Sequence, residues 1–137
     1  MTCDEYKTLE ENDLVTERDC TVARTSPLLE CGALFIYSMV DRKGILAHWQ
    51  DKKIEGGLYK ELLQLRLNSP IAVIVGCGLP IECPIEESRT YSEITDFLRR
   101  SKTQIREEKV GLDHKLELAV DFFDGSYTII EGEFECQ

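Results

Sequence analysis

The chain has 137 residues, a formal net charge of -10 and a sequence pI near 4.7. A length of this order suits one domain with its own core, and the acidic balance excludes a surface that tracks nucleic-acid phosphates, which needs clustered Lys and Arg. No apolar run approaches the roughly 20 residues that span a bilayer, and the opening MTCDEYKTLEEND lacks the charged-then-apolar order of a signal peptide.

Residues 1–13 are polar and acidic and read as a loose arm or an edge element without chemistry, leaving 14–137 as a single domain. Short apolar alternation over 14–23 suggests one strand. TSPLLE then makes a loop, because Pro27 has no N–H to give a ladder. CGALFIYSMV, from Cys31, and ILAHWQ, after DRKG, form a hairpin pattern of β-branched, aromatic and aliphatic residues.

DKKIEGG follows as a loop, with Gly56 and Gly57 before a helix over 58–67 whose Leu58, Leu62, Leu63 and Leu65 share an apolar face. Asn68-Ser69-Pro70 ends it. IAVIVGCGL is short and continuously apolar, as in a buried strand. Gly76 and Gly78 permit a bend or a close approach there. A connector over 80–90 carries Pro80 and Pro84, and a second helix spans 92–100, with Thr90 or Ser92 as N-cap and Ile94, Phe97 and Leu98 at helical spacing. KTQIREEKV either continues that helix or forms a strand. KLELAVDFF and SYTIIEGEF alternate well and are joined by Asp124-Gly125, a hairpin turn. Strands outnumber helices, and the class is α+β.

The chemistry-bearing residues cluster early. Cys31 and His48 stand seventeen residues apart, Thr25 lies six residues before the cysteine, and the only other histidine is His114. A thiol, an imidazole and a hydroxyl are the parts of a cysteine hydrolase. Whether the thiol and the imidazole can meet depends on register. A tight turn at Arg42-Lys43 sets His48 opposite Tyr37, roughly 20 Å along the strand from Cys31. A wider loop, SMVDRK, with Tyr37 opposite Gly44, sets His48 opposite Ala33, two residues from Cys31 on the same face. The catalytic reading requires the wider loop.

Other residues read more plainly. Cys77, between two glycines, is either a buried structural cysteine or a reactive thiol near the same cleft. Trp49 lines a substrate groove or anchors the core. His114 sits in a polar GLDHK turn, and Glu86-Glu87 and Glu107-Glu108 read as exposed faces rather than metal ligands, since no histidine accompanies them. No cofactor or metal is expected. The six cysteines permit three disulfides, but without an export signal reduced thiols are expected. A cytoplasmic location follows, with export as an effector left open.

In its order, Thr25, five residues, Cys31, twelve residues, then Gly44-Ile45-Leu46-Ala47-His48, the chain resembles the chemoreceptor glutamine deamidases known as CheD. Their superfamily includes the deamidase domains of cytotoxic necrotizing factors. The resemblance continues through the helix at 58–67, the strand ending Val75-Gly76-Cys77-Gly78, the second helix and the Asp124-Gly125 hairpin, over about 14–132. It implies a β-sandwich of mixed strands with about two helices packed outside. It also implies a protein-glutamine glutaminase whose partner is a protein with an exposed glutamine. Cys31 is then the nucleophile, His48 the acid and base, and Thr25 the orienting residue.

With those roles, Cys31 attacks a glutamine carboxamide and His48 protonates the departing ammonia; water then hydrolyses the thioester. The backbone N–H groups of Cys31 and Gly32 are the nearest oxyanion donors, and Gly32 and Trp49 border the substrate. The alternative is a catalytically inactive, CheD-like protein-binding module. It is motivated by Leu29-Glu30, where the family carries glycine and serine, and by Trp49-Gln50-Asp51, where the family motif ends in Leu-Pro.

Overall fold

The structure, a computed structural model, describes residues 7–9, 13–25, 31–50, 67–77, 89–111 and 114–133. In chain order these form β1 (Lys7–Leu9), β2 (Asp13–Thr16), β3 (Val22–Thr25), β4 (Cys31–Ser38), β5 (Lys43–Gln50) and β6 (Ile71–Cys77). Helix α1 (Arg89–Arg100) follows, then β7 (Gln104–Gly111), β8 (His114–Asp121) and β9 (Tyr127–Glu133). Strands dominate, and α1 is the one helix among the described residues.

Two mixed sheets result, a four-stranded one in the order β1-β3-β8-β9 and a five-stranded one in the order β2-β5-β4-β6-β7. Alternation along the strands explains how they pack. Phe35, Tyr37, Leu46, Val73 and Val75 from the larger sheet share one buried cluster with Ala23, Leu116, Leu118 and Val120 from the smaller. The opposite residues of the same strands, Leu34, Ile36, Ile45, Ala47, Ala72 and Ile74, form a second cluster with Leu98 of α1. The larger sheet is thus apolar on both faces, which is why β4 and β6 read as continuous hydrophobic runs.

Several expected elements change. The strand expected over 14–23 is two strands, β2 and β3, that belong to different sheets. Between them Asp19 N–H donates to the Thr16 carbonyl at 3.0 Å and the Asp19 carboxylate accepts the Thr16 N–H on Oδ2 at 2.8 Å, a β-turn at positions the apolar alternation did not mark. Residues 7–9 of the polar arm form an edge strand pairing parallel with β3.

Helix α1 starts at Arg89, so Thr90 and Ser92 lie inside it and do not cap it. It ends where Thr103 N–H reaches the Leu98 carbonyl and Lys102 N–H reaches that of Arg99, with Lys102 at φ 56. That is a Schellman stop, and it releases 104–111 to pair parallel with β6 rather than continue the helix. The helix expected over 58–67 lies outside the described residues except for Leu67, which is not helical.

The C-terminal hairpin forms, but through a wider loop than the two-residue Asp124-Gly125 turn: Val120 stands opposite Tyr127 and Asp121 N–H reaches the Ser126 carbonyl, leaving 122–125 as the loop with Gly125 at φ 76. The Cys31 hairpin adopts the wider loop. Tyr37 stands opposite Gly44 and Ser38 opposite Lys43, leaving 39–42 as the loop.

Tyr37 supplies the physical reason for that register. Its side chain is fully buried, and its hydroxyl donates to the Phe122 carbonyl at 2.7 Å and the Phe123 carbonyl at 3.2 Å. Burial pushes its phenol above the ordinary 10.0, so it remains a donor. A Cβ on Gly44 would stand 2.7 Å from the ring, and one on Gly125 would stand 2.5 Å from it. The ring lies between two glycines, one on each hairpin. Sliding β5 would replace Gly44 with a side chain and close that space.

The loop itself is tied by Asp41. Its carboxylate accepts the Asn68 backbone N–H at 2.8 Å and the Asn68 side-chain amide at 3.0 Å. These bonds hold its carboxyl below the ordinary 3.8. A carboxyl lowered on folding contributes stability that is present above the unfolded value and is lost as pH falls through the folded one. Asp41→Asn is therefore expected to flatten the acid-side fall in stability below about pH 4. Urea midpoints between about pH 6 and pH 2 check this, and an unchanged slope contradicts it.

Candidate functional site

Residues paired across neighbouring strands form rows, and rows decide which side chains can meet. One row of the larger sheet runs Asp13, His48, Ala33, Val75 and Lys109 across β2, β5, β4, β6 and β7. The next runs Trp49, Gly32, Gly76 and Val110, and the one after it places Cys31 beside Gln50. Cys31 and His48 are accordingly diagonal neighbours on adjacent strands, two residues offset. Direct pairs stand about 4.5–5.5 Å apart and diagonal ones about 7–8 Å, within reach of long or aromatic side chains.

His48 faces the layer between the sheets, in line with Leu46, and is only 1% exposed. Thr25 is fully buried as well, at the end of β3 in the facing sheet and two residues beyond Ala23 of the same inter-sheet cluster. Its Oγ1 accepts the Leu118 N–H at 3.1 Å. The β3–β8 pairing ends at Arg24 and Ala119, so the hydroxyl takes up the next N–H of β8. Thr25, Ser38 and His48 are the polar or charged residues buried among those described, and two of them belong to the expected site.

Connectivity brings Thr25 to the cysteine's end of the sandwich. β3 ends at Thr25 and β4 begins at Cys31 in the opposite sheet, with 26–30 between them. Five residues reach at most about 18 Å, against a layer of about 10 Å between packed sheets. Gly32 is opposite both Trp49 and Gly76, so the two residues expected to border the substrate are a direct pair.

Asp13 was not expected at the site. It is opposite His48 on the side away from β4, through the pairing of β2 with β5. In the sequence it ends a polar arm, and the turn at 17–19, which the alternation did not mark, is what separates β2 from β3 and leaves β2 in the hairpin's sheet. A carboxylate at that register position is of a type that orients an imidazole. The alternation of Asp13 with Val15 was the one available sign.

The groove of about 580 Å³ between β7 and β9, lined by Arg106, Lys109, Tyr127 and Ile129 among others, contains none of the expected site residues. Arg106 is the extra residue of a β-bulge there, since Ile105 pairs with Ala72 and Glu107 with Val73. Among the described residues no cluster of three His, Cys, Asp or Glu is placed to hold a metal ion, and no helix is long and apolar enough to cross a membrane. No family model matches the chain, and no curated protein matches it.

Proposed function

We propose that the protein is a cysteine-dependent hydrolase of glutamine side-chain amides, acting on a protein with an exposed glutamine and built as a divergent CheD-like sandwich. The observation that carries the proposal is the hairpin register, with Ala33 opposite His48 and Cys31 two residues further along β4. The tight turn would have separated thiol and imidazole beyond any side chain's reach. Burial of His48 and Thr25 in one apolar layer adds support, since two polar side chains placed there need a reason.

In this reading His48 takes the Cys31 proton, and the thiolate attacks the carboxamide carbon. The C–N bond breaks as His48 returns the proton to ammonia, and a thioester remains. Water attacks it with His48 as base, and glutamate and the thiol are released. Thr25 positions the imidazole. Because its hydroxyl oxygen already accepts from Leu118, it acts either through the remaining capacity of that oxygen or through its own carbonyl. Of the expected oxyanion donors, Gly32 is paired with both Trp49 and Gly76 and its N–H is spent in the ladder, which leaves the N–H of Cys31 at the start of β4.

A thiol activated by an imidazole alkylates at lower pH than an ordinary one, whose pKa is about 8.5. Iodoacetamide at about pH 6.5 is expected to modify Cys31 ahead of Cys3 and Cys136, and His48→Gln is expected to remove that preference. Equal rates at the three cysteines would favour the non-catalytic binding module instead.

A further inference from the structure

Two cysteines far apart in sequence end neighbouring strands of one sheet, Cys31 opening β4 and Cys77 closing β6. β4 and β6 run antiparallel with Phe35 opposite Val73, Leu34 opposite Ile74, Ala33 opposite Val75 and Gly32 opposite Gly76. The same register carried one residue further sets Cys31, the first residue of β4, opposite Cys77, the last of β6. Both also belong to the sheet on their far sides, Cys31 opposite Gln50 and Cys77 opposite Gly111.

Residues directly opposed in an antiparallel pair have Cα atoms about 4.5 or 5.5 Å apart, according to whether the pair exchanges hydrogen bonds. Disulfides span Cα separations of about 4.4–6.8 Å, so either kind of pair is admissible. Opposed residues also project from the same face of a sheet. The adjoining pair, Gly32 and Gly76, carries no side chains to resist the local twist that a cross-strand bond needs.

We propose that Cys31 and Cys77 are a reversible thiol–disulfide pair, closed by a low-molecular-weight disulfide such as oxidised glutathione and reopened by a thiol. The thiolate of one cysteine attacks a sulfur of the oxidant, whose S–S bond breaks and releases one thiolate. The second cysteine, deprotonated, attacks the mixed disulfide and releases the other. The protein thiols lose two electrons and two protons, and the oxidant becomes two thiols. Formation of the bond rests on the register alone. Its consequence, that closing it silences the protein, rests on the reading of Cys31 as nucleophile.

The test equilibrates the full chain in glutathione buffers from reducing to oxidising, quenches with acid, alkylates in denaturant and maps peptides by mass spectrometry. A peptide linking Cys31 to Cys77 is expected to accumulate, with loss of two alkylatable thiols, while Cys20, buried in the inter-sheet core, stays a thiol. Cys77→Ser, or Cys77→Ala if the serine variant does not fold, is expected to stop at Cys31 joined to glutathione. Cys31 and Cys77 both remaining alkylatable at every poise, or Cys31 linked to another cysteine of the folded chain, would overturn the proposal. Ammonia release on the same samples separates the two readings. A reduced protein without activity counts against the hydrolase, while the peptide map still decides the bond. An active reduced protein is expected to lose at least tenfold as the linked peptide forms.

Discussion

Cys31→Ser is expected to bring ammonia release from a glutamine-bearing protein such as casein down to background, and His48→Gln to do the same. Where nucleophile and base act as a unit, removing either costs at least about 10³-fold, and the two losses do not add. A double variant no worse than either single one is therefore part of the expectation. Glutamine is preferred to alanine at position 48 because the residue is almost wholly enclosed, and a truncation there would mix lost chemistry with a cavity. Thr25→Val should weaken turnover less, and it also strands the Leu118 N–H, so its unfolding midpoint must be measured beside its rate. Activity retained by Cys31→Ser or by His48→Gln sinks the assignment.

Tyr37→Ala is expected to destabilise the fold by about 3–5 kcal/mol, the range for emptying a buried aromatic site. Tyr37→Phe should cost only about 1 kcal/mol, since it keeps the ring and loses the hydrogen bonds to the Phe122 and Phe123 carbonyls. The ring also packs tilted against Phe35, 5.7 Å between centroids, and Phe35 meets Phe122 edge-on at 5.9 Å. Tyr37 therefore joins the two hairpins and both sheets at one point. Urea denaturation measures both variants, and equal midpoints for them would refute the role given to the ring. Because the ring requires glycine at position 44, Tyr37→Ala should also loosen the register that places His48 opposite Ala33.

Hairpins, the buried middle strand and most of α1 were legible because their patterns are local. Asp124-Gly125 needs only the positive φ of its glycine, and the apolar run 71–75 needs only a covered sheet. The ambiguity of KTQIREEKV was not resolvable locally. It becomes a strand because β6 offers a parallel edge and the Schellman stop at Lys102 releases the chain toward it. Its charged residues suit an exposed edge as well as they suit a helix.

By itself the sequence determined the identity of the candidate groups, their place on strands, and the two registers between which the hairpin had to choose. Tertiary structure chose between them, because a residue-by-residue pattern of period two is satisfied by more than one pairing until a third element fixes the register. That element is the Tyr37 ring between Gly44 and Gly125, residues from hairpins eighty-one positions apart. The rows that place Asp13 beside His48, and Gly32 in line with Gly76, likewise exist only once distant strands pair, since cross-strand neighbours are set by sheet order and not by chain order.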